Sequence, residues 1–380
     1  MTTQAEQAWS VRVADSVIRQ HPSLSESWTY ESGLVLKALL EVWLHTGNAA
    51  YFDYVKRNVD GFVAPEGGIR TYRLDEYNLD LINPGKVLFP LYRATGDERY
   101  KKAAFLLREQ LRTHPRTSES GFWHKQIYPH QMWLDGIYMA SPFYAEFART
   151  FEEPAIFDDV ARQIVLIEAH TRDPETGLLY HGWDESKLQR WADPESGCSP
   201  HFWGRGMGWF AMALPDVLDH FPASDPQYGT ITAILGRLLS AVASVQDQDS
   251  GVWYQVLDQG SRSGNYLEAS ASCMFVYAIA KGLRQGCLGA EYRDVLSTGY
   301  AGTLSRFVEV DGRGLVSLNG ICRVAGLGGT PYRDGSFAYY VSEAPVTNDY
   351  KGLGAFMLAS VEVERLAASQ PPRDAASYQK

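Results

Sequence analysis

The stretch Leu34-Val-Leu-Lys-Ala-Leu-Leu-Glu-Val-Trp-Leu-His-Thr-Gly47-Asn48 holds the fold in miniature. Leu34, Val35, Ala38, Leu39, Val42 and Trp43 recur at the spacing of one helix face. Gly47 then supplies a helix stop and Asn48 a cap for the next helix. Ala94-Thr-Gly96-Asp97 repeats the device. Carried along the chain, the periodicity predicts twelve helices, near 4–20, 28–46, 49–61, 78–95, 97–113, 131–150, 154–170, 204–220, 224–246, 266–286, 289–308 and 347–368, with no sheet pattern.

The links between these helices alternate. Links of a few residues join antiparallel neighbours into hairpins, and links of about 15–40 residues follow at 62–77, 114–130, 171–203, 247–265 and 309–346. Each long link carries a glycine turn followed by an apolar residue: Glu66-Gly-Gly-Ile69, Ser120-Gly-Phe-Trp123, Thr176-Gly-Leu-Leu179, Ser250-Gly-Val-Trp253 and Arg313-Gly-Leu-Val316. A degenerate repeat of roughly 60 residues gives six units, in which each hairpin is buried by its neighbours. The expectation is an all-α fold, an (α/α)6 barrel forming a single catalytic domain over 1–380, with the long loops walling one mouth. An open helical solenoid is the alternative; long, unequal, aromatic-rich loops favour a ring with a cleft.

Composition narrows the function. Lys and Arg total 35 against 45 Asp and Glu, a formal charge of −10, which is ill suited to nucleic acid. The four cysteines are scattered without a CxxC, so neither a zinc site nor a redox pair is indicated. Met1 to Arg19 lacks the apolar stretch of a signal peptide, and no run approaches the ~20 apolar residues of a membrane span. A reduced, cytoplasmic protein is expected. Nothing in the pattern specifies an oligomer. The 22 Tyr, 16 Phe and 10 Trp can line a sugar cleft as well as fill a core.

Loops at one face of a rigid ring are the place for a site. Asp80 and Asp135 each stand in the first turn of an inner-type helix. A carboxylate there is commonly a helix-terminal charge worth about 0.3–1 kcal/mol. Facing one another across a cleft, two such groups become an acid/base pair, since a close like charge raises one pKa. Burial against Trp133, Trp123 and Trp209 acts in the same direction. His124, His181 and Arg205 offer hydrogen-bonding or positive groups to an anionic substrate, Arg205 through a bidentate fork; a lone histidine is otherwise structural. Gly204-Arg-Gly-Met-Gly208 has neither the strand nor the spacing of a dinucleotide loop, and no HExxH, GxSxG or P-loop occurs.

Several stretches resemble glycoside hydrolase family 105, the unsaturated rhamnogalacturonyl hydrolases. They are Tyr77-Asn-Leu-Asp-Leu-Ile-Asn-Pro-Gly-Lys86, Gly121-Phe-Trp-His-Lys-Gln-Ile-Tyr-Pro-His-Gln-Met-Trp-Leu-Asp-Gly-Ile-Tyr-Met139, Trp203-Gly-Arg-Gly-Met-Gly-Trp209, Glu268-Ala-Ser-Ala271, Gly329-Thr-Pro-Tyr-Arg-Asp-Gly-Ser-Phe337, Tyr340-Val-Ser-Glu343 and Asn348-Asp-Tyr-Lys-Gly352. The resemblance implies an (α/α)6 barrel that hydrates the C4=C5 double bond of a non-reducing-end unsaturated uronic acid in small lyase-made pectin oligosaccharides, without metal or cofactor. It implies Asp135 as the acid/base and Asp80 as the group that binds the sugar and raises the Asp135 pKa. His124, His181, Arg205 and Trp209 would line the sugar subsite, with Trp203 and Trp133 as walls and Trp28 and Tyr30 further out. Three alternatives remain open: an unsaturated glucuronyl hydrolase of other polysaccharides, an α/α-barrel sugar epimerase using His124 and His181, and a non-catalytic oligosaccharide-binding ring.

Overall fold

The computed structural model describes residues 7–369. The first residues of the helix expected at 4–20, and both ends of the expected 1–380 domain, lie outside the described residues. The chain forms helices α1 (Trp9–Gln20), α2 (Tyr30–Thr46), α3 (Ala49–Asp60), α4 (Leu88–Thr95), α5 (Glu98–Thr113), α6 (Leu134–Phe151), α7 (Ala155–Thr171), α8 (Gly204–Leu218), α9 (Pro226–Ser244), α10 (Ala269–Gln285), α11 (Arg293–Phe307), α12 (Phe337–Ser342) and α13 (Tyr350–Ala368). The hairpin chemistry is as expected. Gly47 and Gly96 end α2 and α4 at φ 72° and 67°. Asn48 and Asp97 then accept hydrogen bonds from the Ala50 and Arg99 backbone N–H groups.

Six inner segments pack side to side into a closed ring: α2, the 3-10 segment Asn83–Val87 that leads into α4, α6, α8, α10 and α13, which returns to α2. Helices α3, α5, α7, α9 and α11 lie outside, each against the inner helix that precedes it. The sixth outer helix is α1, packed on α13. The last hairpin is thus assembled from the two ends of the chain, where the Ser10 N–H donates to Glu364 at 3.0 Å. This architecture is an (α/α)6 barrel. Helices α6, α8, α10 and α13 are buried almost all round, as inner staves must be.

Inner helices approach closely where a side chain is missing. A Cβ at Gly208 in α8 would stand 2.9 Å from Met274 of α10, and one at Gly354 in α13 would stand 2.6 Å from Leu34 of α2. At the C-terminal ends of the inner helices, ion pairs tie the staves together. Lys281 meets Asp216 at 2.5 Å, Arg284 meets Glu362 at 2.6 Å, and Arg365 meets Glu41 at 2.8 Å. Their N-terminal ends gather at the opposite mouth, so that mouth collects the positive ends of the helix dipoles.

The structure corrects three readings. The helix expected at 78–95 begins as 3-10 turns, Leu79–Leu81 and Asn83–Val87, because the Asn78 side chain accepts from the Asp80 N–H and Pro84 brings no N–H of its own. Asp80 therefore sits in a 3-10 turn ahead of α4, not in the first turn of an α-helix. Sheet is present as three antiparallel ribbons: β1 (Gln131–Trp133) with β2 (Gly182–Asp184), β3 (Val308–Val310) with β4 (Val316–Leu318), and β5 (Ile321–Cys322) with β6 (Pro345–Val346). Two or three residues are too few for a period-2 pattern to register. For the same reason the short helix α12 went unread. Among the described residues, no helix is long and apolar enough to cross a membrane.

Substituting Gly354→Val forces a branched side chain against Leu34. Overpacking of this kind costs about 1–3 kcal/mol. The melting temperature measured by circular dichroism is expected to fall by several degrees, while Gly229→Ala in α9, with nothing within 4 Å of its Cβ position, leaves it unchanged or slightly raised.

Candidate active site

Local backbone pairing brings distant loops together at the mouth. In the β1–β2 ribbon Trp133 pairs with Gly182, and the Leu134 N–H donates to the His181 carbonyl at 3.0 Å. That register sets Asp135, in the first turn of α6, beside His181. A second pairing links Asn78 with Lys125, while the Leu79 N–H donates to the His124 carbonyl at 3.2 Å. It sets Asp80 beside His124 and Lys125. Three long loops and the starts of two inner segments are joined in this way.

The polar groups fall into two linked pairs. His181 Nε2 lies 3.2 Å from Asp135 Oδ2, and its Nδ1 lies 2.8 Å from the Tyr340 hydroxyl. Lys125 Nζ is 2.5 Å from Asp80 Oδ2, and His124 Nε2 is 3.6 Å from Asp80 Oδ1. Tyr30 meets the edge of Trp209, and its phenol is within electrostatic reach of Glu31, Asp80, Arg205 and Asp135. Gly206 closes the space from α8: a Cβ there would stand 3.2 Å from His181 Cδ2 and 3.5 Å from Asp135 Oδ2. Its neighbour Arg205 is 1% exposed. Arg205 Nη1 donates to the Cys322 carbonyl and reaches Ser270 Oγ at 3.5 Å. No carboxylate among the described residues forms an ion pair with Arg205, and its Nε has no partner.

The tryptophans are walls, not open platforms. Trp133 is sandwiched between His124 and Tyr128, with ring centroids 4.5 and 4.9 Å away. Trp209 stacks on Tyr138 at 4.9 Å and meets the edge of Tyr30. Trp203 stacks on Tyr340 and carries the Arg205 guanidinium 5.0 Å from its ring. Trp123 packs against His130. Trp28, buried, donates to the Leu81 carbonyl at 2.9 Å and steadies the Asp80 turn from behind. Tyr30, expected further out, packs on Trp209 within electrostatic reach of both aspartates.

Two functional neighbours escaped the sequence reading. Lys125 directly follows His124, but only the backbone pairing shows that it neutralises Asp80. Tyr340 is 159 residues from His181, and nothing local marks the contact.

The charges correct the expected pKa pattern. Burial raises the Asp135 carboxyl, yet the adjacent His181 and then His124 outweigh it and leave it below its ordinary value. The Asp80 charge is paired with Lys125, whose own pKa Asp80 lifts against burial. Burial pushes His124 down to about 4, so this imidazole is neutral near pH 7.

Comparison with known proteins assigns this architecture to the glycoside hydrolases. The model described as Glycosyl Hydrolase Family 88 matches residues 7–367, and the chain belongs to that family, on its family 105 side. A Clostridium acetobutylicum ATCC 824 family 105 hydrolase structure is 47% identical with a TM-score of 0.93, covering 94% of this chain and all of that one. A Bacillus subtilis protein named unsaturated rhamnogalacturonyl hydrolase YesR is 29% identical over 307 residues, 79% of this chain and 82% of its own. An unsaturated glucuronyl hydrolase specific for heparin shares the fold at 14% identity and a TM-score of 0.70, over 94% of this chain and 96% of that one.

The lowered Asp135 pKa has a sign that can be checked. A carboxyl depressed by folding stabilises the native state above its unfolded pKa and loses that contribution as pH falls through the folded value. The gap in melting temperature between wild type and Asp135→Asn is expected to be widest near neutral pH and to close as pH drops below about 4. A gap that widens in acid contradicts the assignment of His181 as the dominant partner.

Proposed function

We propose that the protein releases the 4,5-unsaturated uronic acid from the non-reducing end of lyase-made rhamnogalacturonan oligosaccharides by hydrating its C4=C5 bond. The observation that carries this reading is Arg205, a buried guanidinium without a carboxylate partner, one residue from the glycine that abuts Asp135 and His181. A guanidinium that no carboxylate among the described residues contacts keeps a donor unused, so the site suits a ligand that brings a carboxylate to it. The gathered helix N-termini favour the same charge. An unsaturated uronate carries its carboxylate on C5, next to the bond to be hydrated.

The steps follow from one titratable group. Protonated Asp135 gives its proton to C4, and positive charge develops at C5 and the ring oxygen. Water adds to C5 and returns a proton to the Asp135 carboxylate. The resulting hemiketal opens by breaking the bond from C5 to the ring oxygen, leaving a ketone at C5 and a hemiacetal at C1. Collapse of that hemiacetal releases the neighbouring sugar. One acid/base suffices, unlike the two carboxylates of ordinary retaining or inverting glycosidases. Asp80, neutralised by Lys125, and neutral His124 are suited to holding sugar hydroxyls. His181, braced by Tyr340, orients Asp135. Rhamnose as the next sugar is supported by the likeness to the Bacillus subtilis relative.

Asp135 must be protonated to act although His181 favours its anion. A substrate carboxylate close by pushes its pKa back up. The descending limb of kcat is therefore expected at higher pH than that of kcat/KM. In a screen of unsaturated disaccharides that differ in the second sugar, the ultraviolet band of the conjugated double bond should decay fastest with rhamnose. Asp135→Asn should slow the decay by about 10²–10⁴-fold. Full activity of that variant contradicts the mechanism, and a faster reaction on an amino-sugar disaccharide moves the substrate to the glycosaminoglycans.

A further inference from the structure

Glu268 is a fully buried carboxylate that the steps above leave unused. It caps α10 with both oxygens ringed by donors. Oε1 accepts from the backbone N–H groups of Ser270 at 3.0 Å and Cys322 at 2.8 Å, and Oε2 accepts from that of Ala271 at 2.6 Å. The Ser270 hydroxyl donates to both oxygens, at 2.8 and 2.9 Å. A helix cap needs only one or two such bonds, and a short neutral side chain makes them as well. The excess points elsewhere. Arg205 Nη1 has two acceptors, the Cys322 carbonyl and the Ser270 hydroxyl oxygen, and both belong to residues that Glu268 holds.

We propose that Glu268 is a positioning residue for Arg205: through Ser270 and Cys322 it fixes the direction of the guanidinium and offsets its charge between turnovers. A carboxylate in direct contact with Arg205 would compete with an anionic substrate. Placed one residue layer behind, Glu268 balances the buried charge and leaves Nε of Arg205 without a partner. The inference rests on the functional reading above, in that the anion to be met is a uronate.

Crystal structures and kinetics of Glu268→Ala test it. Nη1 of Arg205 is expected to leave the Cys322 carbonyl, and KM for an unsaturated disaccharide to rise about tenfold with kcat changed less than about threefold. In an Arg205→Ala background the same substitution is expected to leave kcat/KM unchanged, because the group it acts through is gone. A generally loosened α10 would instead lower kcat/KM equally in both backgrounds. That result overturns the proposal, as does an Arg205 unmoved in the variant with wild-type KM. Should Glu268→Ala not fold, Ser270→Ala removes only the bridging hydroxyl and is expected to raise KM about threefold; an unchanged KM overturns the proposal. If the wild type turns over no unsaturated disaccharide, the functional reading fails, and the position of Arg205 in the variant crystal decides this inference.

Discussion

The 3.2 Å contact between Asp135 Oδ2 and His181 Nε2 sets the demands that the surrounding structure meets. Asp135 stands on an inner helix and His181 in a long loop, and neither position specifies the other. The β1–β2 ribbon joins them by register, since a slip of one residue would turn Asp135 away. Tyr340 holds the far side of the imidazole, and Gly206 lets α8 approach where any side chain would crowd the pair. The barrel supplies the stiffness. Six closed staves with ion pairs at one end leave the loops at the other end free to carry chemistry.

Electrostatics gives the site its selectivity. Arg205 lies buried without a carboxylate, Asp80 is neutralised by Lys125, and His124 is held neutral by burial. What remains is a mouth with one guanidinium that no carboxylate among the described residues contacts directly, and one acid whose pKa is lowered beside its histidine. A uronate answers both conditions at once. In the function proposed above, its carboxylate would pair with Arg205 and, by proximity, make protonation of Asp135 easier. Overall charge says nothing about this, because a surface excess of acidic groups is screened within about 8 Å at physiological salt.

Much of the architecture was legible in the sequence, because helical periodicity and Gly-Asn or Gly-Asp punctuation are local signals. Gly47-Asn48 and Gly96-Asp97 alone define two hairpins. The split between inner and outer helices followed from loop length. What stayed hidden was non-local or too short. Pairing of Trp133 with Gly182 spans the chain between two loops, and Tyr340 reaches His181 from a six-residue helix. The pKa of Asp135, expected to be raised, is lowered instead, because the histidine beside it becomes visible only through the backbone pairing of two distant loops. The role of the tryptophans as backing for His124, His181 and Arg205 depends on ring orientation, which no pattern encodes.

Hydration of the double bond by Asp135 is tested most directly by proton NMR on a single unsaturated disaccharide. The vinyl C4–H signal is expected to vanish at the rate at which the second sugar is released, and neither change should occur with Asp135→Asn. Release of the second sugar while the vinyl signal persists would show direct cleavage of the glycosidic bond and contradict the mechanism.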